Sequence, residues 1–215
     1  MTPVICFVTD RRRVPGGTEA ALLARITAAA RAGVHLIQIR ERDLEARSLA
    51  RLVTAAVAAV RGTASRILVN DRLDVALSAG AHGVHLRGDS VPATRAREIA
   101  PRGFLLGRSV HSREEAVRVA EAGDLDYLMF GTVFDTSSKP GVSGSGSELL
   151  ATVARATPLP VLAIGGITVS RMSAVAVAGA AGFAGIGLFA ESPVEGLQVV
   201  VRQGSLAFDT LPRVP

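Results

Sequence analysis

The sequence predicts an α/β fold, a compact (β/α)8 TIM barrel with eight parallel strands, and all of residues 1–215 are expected to form this single domain. Three observations support the prediction. Short apolar segments alternate strictly with longer amphipathic segments, eight of each can be counted, and no large insertion interrupts the series. A length of 215 residues lies near the lower size limit of such barrels. A doubly wound open sheet is the alternative.

Each predicted strand is a short run of apolar residues. The strands are expected at 4–8, 35–39, 67–69, 83–86, 104–107, 127–130, 161–164 and 183–186. The segments that follow are rich in Ala and Leu with charges on one face, as amphipathic helices are. The helices are expected at 18–32, 45–61, 73–79, 93–100, 113–122, 148–156, 170–178 and 194–202. Residues 203–215 are expected to be a poorly ordered end.

The composition excludes several classes of protein. A single cysteine, Cys6, rules out a disulfide framework, a zinc cluster and a CxxC redox motif, and its place in a strand predicts a core residue. The longest uncharged segment, 173–190, has the minimum length of a membrane helix. Its many small residues are better explained by a helix end, a turn and a strand. Without a signal or transit sequence, the predicted location is cytoplasmic.

The basic charge favours small anions as ligands. The formal net charge is +5, yet the basic residues are scattered and the chain has one tyrosine and no tryptophan, so platforms for stacking bases are scarce. We therefore expect phosphorylated small molecules as partners, and neither nucleic acid nor a membrane. All basic residues but Lys139 are arginines, which singles out that lysine for testing. A surface lysine spared by drift in composition is the alternative.

Polar residues collect where the predicted strands end, and barrels form their active sites at those ends. The candidates are Gln38, Arg40 and Arg42 at the second strand, Asn70 and Asp71 at the third, His85 and Asp89 at the fourth, Ser109 at the fifth, Thr136, Ser138 and Lys139 after the sixth, Gly165 and Gly166 after the seventh, and Gly187 after the eighth.

Two of these groups suggest phosphate and metal chemistry. Arg40 shares a strand face with Gln38, and its guanidinium can hold a phosphate through two parallel hydrogen bonds. An ion pair with Glu41 or Asp71 is the structural alternative. Asp71 and Asp89 follow neighbouring strands and could share one Mg²⁺, whose remaining ligands would be phosphate oxygens. The alternatives are a helix N-cap for Asp71 and an ordinary loop residue for Asp89.

The remaining candidates are glycines and histidines. Gly165 and Gly166 would let backbone amides approach a phosphate at the start of a helix. His85 could touch a ligand ring or be a hydrogen-bonded core residue. His111 is expected to have a loop role, and the other two histidines, His35 and His82, to be structural.

In chain order, these residues form motifs that resemble the thiamine-phosphate synthase/TenI family, from about Val4 to Phe189. The motifs are Gln38-Ile39-Arg40, Asn70-Asp71-Arg72, Gly83-Val84-His85-Leu86, Gly107-Arg108-Ser109, 131–139 and 163–167. The family implies a TIM barrel and one of two activities. The synthase branch couples a pyrimidine methyl diphosphate to a thiazole phosphate and releases pyrophosphate. The TenI branch tautomerises the thiazole phosphate.

The resemblance implies a role for each matching position. Arg40, Ser109 and Lys139 would be catalytic, with Arg40, Arg42, Lys139 and Mg²⁺ on Asp71 and Asp89 neutralising the diphosphate. Gln38 and His85 would hold the pyrimidine, and Gly165, Gly166 and Gly187 the thiazole phosphate. Asn70, Thr136 and Ser138 match further substrate-binding positions of the synthase.

Three departures keep the alternatives open. Arg42 stands where the synthase signature has lysine, Ser90 where it has the second metal aspartate, and 107–112 looks more like TenI. Conversely, Thr132 stands where TenI uses its histidine, so a tautomerase would need another proton carrier such as Glu41 or His111. We favour the synthase. The alternatives are a tautomerase and a non-catalytic, regulatory thiazole-phosphate-binding protein, and a homo-oligomer is left open.

Overall fold

The computed structural model describes residues 2–136, 141 and 143–209. Its eight strands pair in parallel, each with the next in sequence and the last with the first, so the sheet closes into a barrel. This confirms the predicted TIM barrel and excludes the open sheet. The strands are β1 Val4–Val8, β2 Leu36–Ile39, β3 Arg66–Asn70, β4 Gly83–Leu86, β5 Leu105–Val110, β6 Tyr127–Phe130, β7 Val161–Ile164 and β8 Gly182–Gly185.

Helices follow the strands and cover the barrel. Eight of the nine described α-helices correspond to the predicted ones, and α7 is preceded by a 3-10 turn at Val169–Arg171. The helices are α1 Glu19–Arg31, α2 Ala46–Ala59, α3 Leu73–Ser78, α4 Ala93–Ile99, α5 Arg113–Glu121, α6 Gly146–Ala156, α7 Met172–Val177, α8 Gly187–Ala190 and α9 Gly196–Asp209. The additional element is α8, a single turn whose four residues are too few to show a helical pattern.

The expectation of a poorly ordered end from residue 203 is wrong for 203–209. Helix α9 continues to Asp209, and both Gly204 and Phe208 are buried. The Phe208 ring lies 6.3 Å from that of Phe183 in β8, and a Cβ on Gly204 would lie 2.8 Å from the same Phe183 ring. Gly204 therefore lets the helix pack close to the barrel.

The apolar core has two layers. The larger layer fills the space between the strands and the helices, and the smaller one fills the barrel interior. The interior residues are Cys6, Val8, Leu36, Leu68, Tyr127, Met129, Leu162 and Ala184. Because side chains alternate along a strand, the last inward positions of β2, β3, β4 and β5 lie at the C-terminal mouth, and they carry the polar side chains of Gln38, Asn70, His85 and Ser109.

Among the residues that the structure describes, no helix is long and apolar enough to cross a membrane. Segment 173–190 divides between α7, β8 and α8, as its small residues suggested.

Candidate active site

A cavity of about 1250 Å³ opens at the C-terminal ends of the strands. Eleven of the predicted site residues line it: Gln38, Arg40, Arg42, Asn70, His85, Asp89, Ser109, Thr136, Gly165, Gly166 and Gly187. Asp71 lines a smaller adjoining cavity of about 200 Å³ that also contacts Arg40, Arg42 and Asn70. Ser138 and Lys139 lie outside the described residues. The barrel thus brings together every predicted site residue that is described.

The floor of the cavity is a row of polar side chains from neighbouring strands. Gln38 Nε2 donates to Asn70 Oδ1 at 3.0 Å, and Gln38 is only 2% exposed. Its Oε1 atom is buried and has no hydrogen-bond partner among the described residues. A buried polar atom without a partner is costly, so Gln38 Oε1 is suited to accept a hydrogen bond from a ligand.

His85 links the floor to the barrel interior. Its Nδ1 lies 2.9 Å from the Tyr127 hydroxyl and its Nε2 lies 2.9 Å from Ser109 Oγ. Burial, helped by the nearby Arg108 charge, lowers the pKa of His85 to about 3. The ring is therefore neutral near pH 7 and carries its one proton on either Nδ1 or Nε2.

We expect the Tyr127 hydroxyl to decide which nitrogen carries that proton. Among the described residues, the Tyr127 hydroxyl makes its hydrogen bond with His85. The hydroxyl proton has an acceptor there only if Tyr127 donates to Nδ1. In that tautomer Nε2 would carry the ring proton and donate to Ser109 Oγ, and the Ser109 hydroxyl proton would be free to point into the cavity. Ser109 would thus be a donor for an anionic or basic ligand atom. His85 is the hydrogen-bonded core residue expected as one alternative, and because it also lines the cavity, its contact with a ligand ring stays a prediction.

Gly107 makes room for this arrangement. A Cβ at position 107 would lie 2.0 Å from Tyr127 Cζ and 2.4 Å from its hydroxyl oxygen. The glycine in the Gly-Arg-Ser motif of β5 is therefore required for the Tyr127 side chain to cross the barrel towards His85.

Arg40 and Arg42 provide positive charge on one side of the mouth. None of the ion pairs among the described residues involves either arginine. Burial, together with repulsion from Arg42, lowers the pKa of Arg40, so an anion beside its guanidinium would relieve an unfavourable charge.

The structural alternative for Arg40 fails because both of its proposed partners, Glu41 and Asp71, are engaged elsewhere. Asp71 contacts Ser90 and Arg87. The buried Glu41 carboxylate accepts a hydrogen bond from Thr9 Oγ1 at 2.6 Å and pairs with Arg11 Nη1 at 3.0 Å. The same engagement makes Glu41 a poor proton carrier for a tautomerase.

Another side of the mouth, after β7 and β8, is lined by glycines. Gly165 and Gly166 have φ angles of +103° and +62°, and a Cβ on Gly166 would lie 2.5 Å from the Asp135 carbonyl oxygen. Arg171 Nη1 donates to the Gly166 carbonyl at 2.7 Å. A Cβ on Gly187 would lie 2.8 Å from an Arg13 guanidinium nitrogen. Backbone and guanidinium groups thus approach the cavity where a phosphate would fit.

Asp71 and Asp89 lie on either side of the Arg87 guanidinium. Arg87 Nη1 is 3.6 Å from Asp71 Oδ2, and Nη2 is 2.6 Å from Asp89 Oδ2. Asp71 is not a helix N-cap: α3 is capped by Arg72 without a side-chain hydrogen bond, and Asp71 has a φ of +65°. Ser90 Oγ donates a short hydrogen bond to Asp71 Oδ1 and accepts one from the Arg87 N–H at 2.7 Å.

Arg87 and Arg108 are residues whose roles the sequence did not reveal. Arg108 is 9% exposed and donates to the carbonyls of Gly88 at 2.8 Å and Val91 at 3.2 Å. It therefore holds the turn that carries Asp89 and Ser90. The available signal was an arginine inside the apolar β5 segment, since a buried guanidinium needs acceptors.

The Asp71 and Asp89 carboxylates form a donor set that fits Mg²⁺. Asp71 and Asp89 supply hard oxygens, and a single guanidinium contacts both carboxylates, so they converge on a position that favours positive charge. No group of three or more His, Cys, Asp or Glu side chains suited to a metal occurs among the described residues. Mg²⁺ commonly takes one or two carboxylates and completes its coordination with water and phosphate oxygens, so two are sufficient.

The other histidines and the cysteine behave largely as expected. His35 and His82 accept backbone hydrogen bonds through Nδ1 from Ile5 at 3.1 Å and from Ile67 at 3.0 Å. Cys6 is fully buried, and burial raises the pKa of its thiol to about 12. His111 lies in the loop after β5 as expected, but it also lines the cavity, with Nδ1 2.5 Å from the Gly131 carbonyl oxygen.

Fold and site together define a TIM barrel whose mouth is built to bind phosphorylated ligands. A family model described as thiamine monophosphate synthase matches residues 5–189. The chain belongs to this thiamine-phosphate synthase/TenI family.

Individual relatives agree with this assignment. The chain is 40% identical over 191 residues to a thiamine-phosphate synthase of Roseiflexus sp. (strain RS-1), covering 88% of this chain and 79% of that protein. It is 42% identical over 178 residues to one of Methanoculleus marisnigri, covering 82% of each. The structure of thiamine phosphate pyrophosphorylase from Pyrococcus furiosus superposes with a TM-score of 0.81 at 29% identity, covering 95% of each chain.

Proposed function

We propose that this chain is a thiamine-phosphate synthase, which couples 4-amino-2-methyl-5-pyrimidinylmethyl diphosphate to thiazole phosphate and releases pyrophosphate. The observation that carries the proposal is the arrangement of the main cavity and the small cavity that adjoins it. Arg40 and Arg42, which take part in none of the described ion pairs, line one side with Asp89, and Asp71 lines the adjoining small cavity. Glycines line another side, and a polar floor lies between them. The family membership and the names of the relatives support it.

The floor would hold the pyrimidine. Gln38 Oε1 would accept a hydrogen bond from the exocyclic amino group, which satisfies this buried oxygen. Ser109 would donate its free proton either to a ring nitrogen or to the oxygen that joins the methylene group to the diphosphate. Asn70 supports Gln38 through its side-chain hydrogen bond.

Arg40 and Arg42 would bind the diphosphate, together with Lys139, which the family resemblance assigns to this role. When bound, Mg²⁺ on Asp71 and Asp89 would supply further positive charge to the leaving group. These side chains stabilise the charge that develops as the bond from the methylene carbon to the diphosphate oxygen breaks, with both bonding electrons leaving on oxygen.

The second half of the reaction requires positioning more than proton transfer. The amino-substituted ring spreads the positive charge left on the methylene carbon, and the thiazole nitrogen donates its lone pair to form the new C–N bond. Gly165, Gly166 and Gly187, with Thr136 nearby, would hold the thiazole phosphate so that this nitrogen faces the carbon. No strong base is needed, in agreement with a neutral His85.

A coupling assay tests the proposal. Purified protein, both substrates and Mg²⁺ should yield thiamine phosphate and pyrophosphate in equal amounts, and removal of Mg²⁺ with a chelator should stop the reaction. Asp71→Asn and Lys139→Ala should each lower the rate by roughly two orders of magnitude or more while the fold is kept. Arg95→Ala, which removes an exposed charge paired with Glu98, is the control and should keep the wild-type rate. Wild-type rates in both site variants would remove these residues from the mechanism.

A thiazole tautomerase is the second candidate, and His111 is the observation that favours it. Because Nδ1 of His111 faces a carbonyl oxygen, the neutral ring keeps an unprotonated Nε2 that could act as a base beside the cavity. In the same assay, tautomer exchange without thiamine phosphate would replace the synthase with this function, and His111→Gln should then abolish the exchange. A cytoplasmic location and a partner set limited to phosphorylated small molecules remain part of the proposal.

A further inference from the structure

The Arg87 guanidinium is held between the two carboxylates proposed to bind Mg²⁺. Its backbone N–H is tied to Ser90 Oγ, and Ser90 Oγ is committed to Asp71. Arg108 holds the carbonyls of Gly88 and Ser90 in the same turn. The turn is therefore fixed by side-chain hydrogen bonds at both ends, and it delivers the Arg87 side chain to this position.

The charges at this place do not favour a divalent cation in the absence of substrate. Arg87 already contributes one positive charge to Asp71 and Asp89, and its two terminal nitrogens contact one carboxylate each. A divalent cation that binds both carboxylates must displace the guanidinium or remain beside it, and either costs free energy. The Ser90 hydroxyl is hydrogen-bonded to Asp71 and adds no negative charge that would offset this cost.

A diphosphate would change the balance. Its oxygens accept a guanidinium through paired hydrogen bonds and also complete the coordination of Mg²⁺. Arg87 lines both the main cavity and the small one containing Asp71, so its side chain, which is 44% exposed, can exchange a carboxylate for a phosphate without a change in the backbone.

We propose that Arg87 is a resident cation of this site: it occupies the carboxylates while the site is free of substrate and turns to the diphosphate when that group arrives with its metal ion. Metal binding is consequently weak without a diphosphate and strong with one. The inference rests on the proposed function for the identity of the anion, and it assigns to Arg87 the coupling between the anion and the cation.

Direct binding of Mn²⁺, followed by the loss of its free EPR signal, tests the first part. In the absence of any phosphate compound, Arg87→Ala should bind Mn²⁺ about tenfold more tightly than the wild type, because the competing charge is gone. Arg87→Lys should stay close to the wild type. Arg95→Ala removes the same charge from an exposed pair on α4 and should leave the affinity unchanged. An affinity of Arg87→Ala within twofold of the wild type would overturn the proposal, as would an equal gain in Arg95→Ala.

Calorimetry with inorganic pyrophosphate and EDTA tests the second part. Arg87→Ala should bind pyrophosphate about tenfold more weakly than the wild type, and unchanged binding would overturn the role of Arg87 in holding the anion. Neither titration requires turnover. If the Mn²⁺ and pyrophosphate titrations behave as expected and the coupling assay fails, the proposed function is wrong and the inference about Arg87 still holds. If coupling proceeds and the titrations show no effect of Arg87, this inference falls alone.

Discussion

Tyr127 lies inside the barrel and acts on the cavity floor through His85. Its hydroxyl lies 2.9 Å from His85 Nδ1 and is expected to fix the tautomer of that ring, which in turn would set the direction of the Ser109 hydroxyl. Tyr127→Phe removes the hydroxyl and keeps the ring. We expect the coupling rate to fall about tenfold, which corresponds to about 1.4 kcal/mol of transition-state stabilisation. The free energy of unfolding should fall by about 1–3 kcal/mol, because Nδ1 of the buried His85 loses its partner.

Nitrogen NMR of the histidine rings separates this positioning role from a merely structural one. With ¹⁵N-labelled histidine, the wild type should show His85 with its proton on Nε2, and Tyr127→Phe should show a mixture of tautomers. The chain has four histidines, so the signals can be assigned by substitution. A wild-type His85 with its proton on Nδ1 would contradict the orientation derived for Ser109.

The depressed pKa of His85 predicts a pH dependence of stability. Below the ordinary histidine pKa of about 6.5, the unfolded chain binds a proton at His85, but the folded protein does not until about pH 3. The unfolded state therefore binds more protons in this window, so the folded state loses stability as the pH falls from about 6.5 towards 3.

A comparison of variants isolates this contribution from those of other groups. The free energy of unfolding of the wild type should fall, relative to that of His85→Gln, by up to about 1.4 kcal/mol per pH unit between pH 6 and pH 4. Urea denaturation at each pH measures it. Parallel profiles of the two proteins would show that His85 titrates normally in the folded state.

The last turn of helix α9 makes a stabilising contact with the barrel that the sequence did not predict. Phe208 is 3% exposed against the β8 side of the core, whereas Leu206, two residues earlier, is 46% exposed. Phe208→Ala should lower the free energy of unfolding by about 3 kcal/mol, and Leu206→Ala by less than about 1 kcal/mol. Equal and small effects in urea denaturation would mean that the last turn of α9 is not part of the folded core.

The strands and helices were predictable because their patterns are local. Each strand is an apolar run between turn signals, and each helix repeats an apolar face, so both could be read without knowledge of the fold. The turn at 87–90 could not, because its conformation depends on Arg108 from the next strand. Asp71 was open to an N-cap interpretation for a related reason: its positive φ and its partners Ser90 and Arg87 appear only when β3 and β4 lie side by side.

Closure of the barrel makes one site from eight separate strand ends. Gln38, Asn70, His85 and Ser109 were each expected at the mouth from their position after an apolar run. Their hydrogen bonds to one another depend on register, such as Asn70 opposite His85, and this register is set by the whole sheet. The location of the site was thus predictable, and its internal connections were not.

The charge of the whole cavity agrees with two anionic substrates. Several of the arginines that line it are paired, Arg12 with Asp10 and Arg87 with Asp89, while Arg40 and Arg42 take no part in the described ion pairs. Arg40 and Arg42 thus place positive charge after β2, away from Gly165, Gly166 and Gly187. On the glycine side, a second phosphate would interact with backbone groups and with Arg13 and Arg171.

A crystal structure grown with thiamine phosphate and inorganic pyrophosphate tests the central claim, that one mouth holds both phosphorylated groups at separate sides. We expect pyrophosphate against Arg40 and Arg42, the phosphate of thiamine phosphate against Gly166 and Gly187, and the pyrimidine over Gln38. Binding of either compound outside this cavity, or of both at the same side of it, would contradict the account.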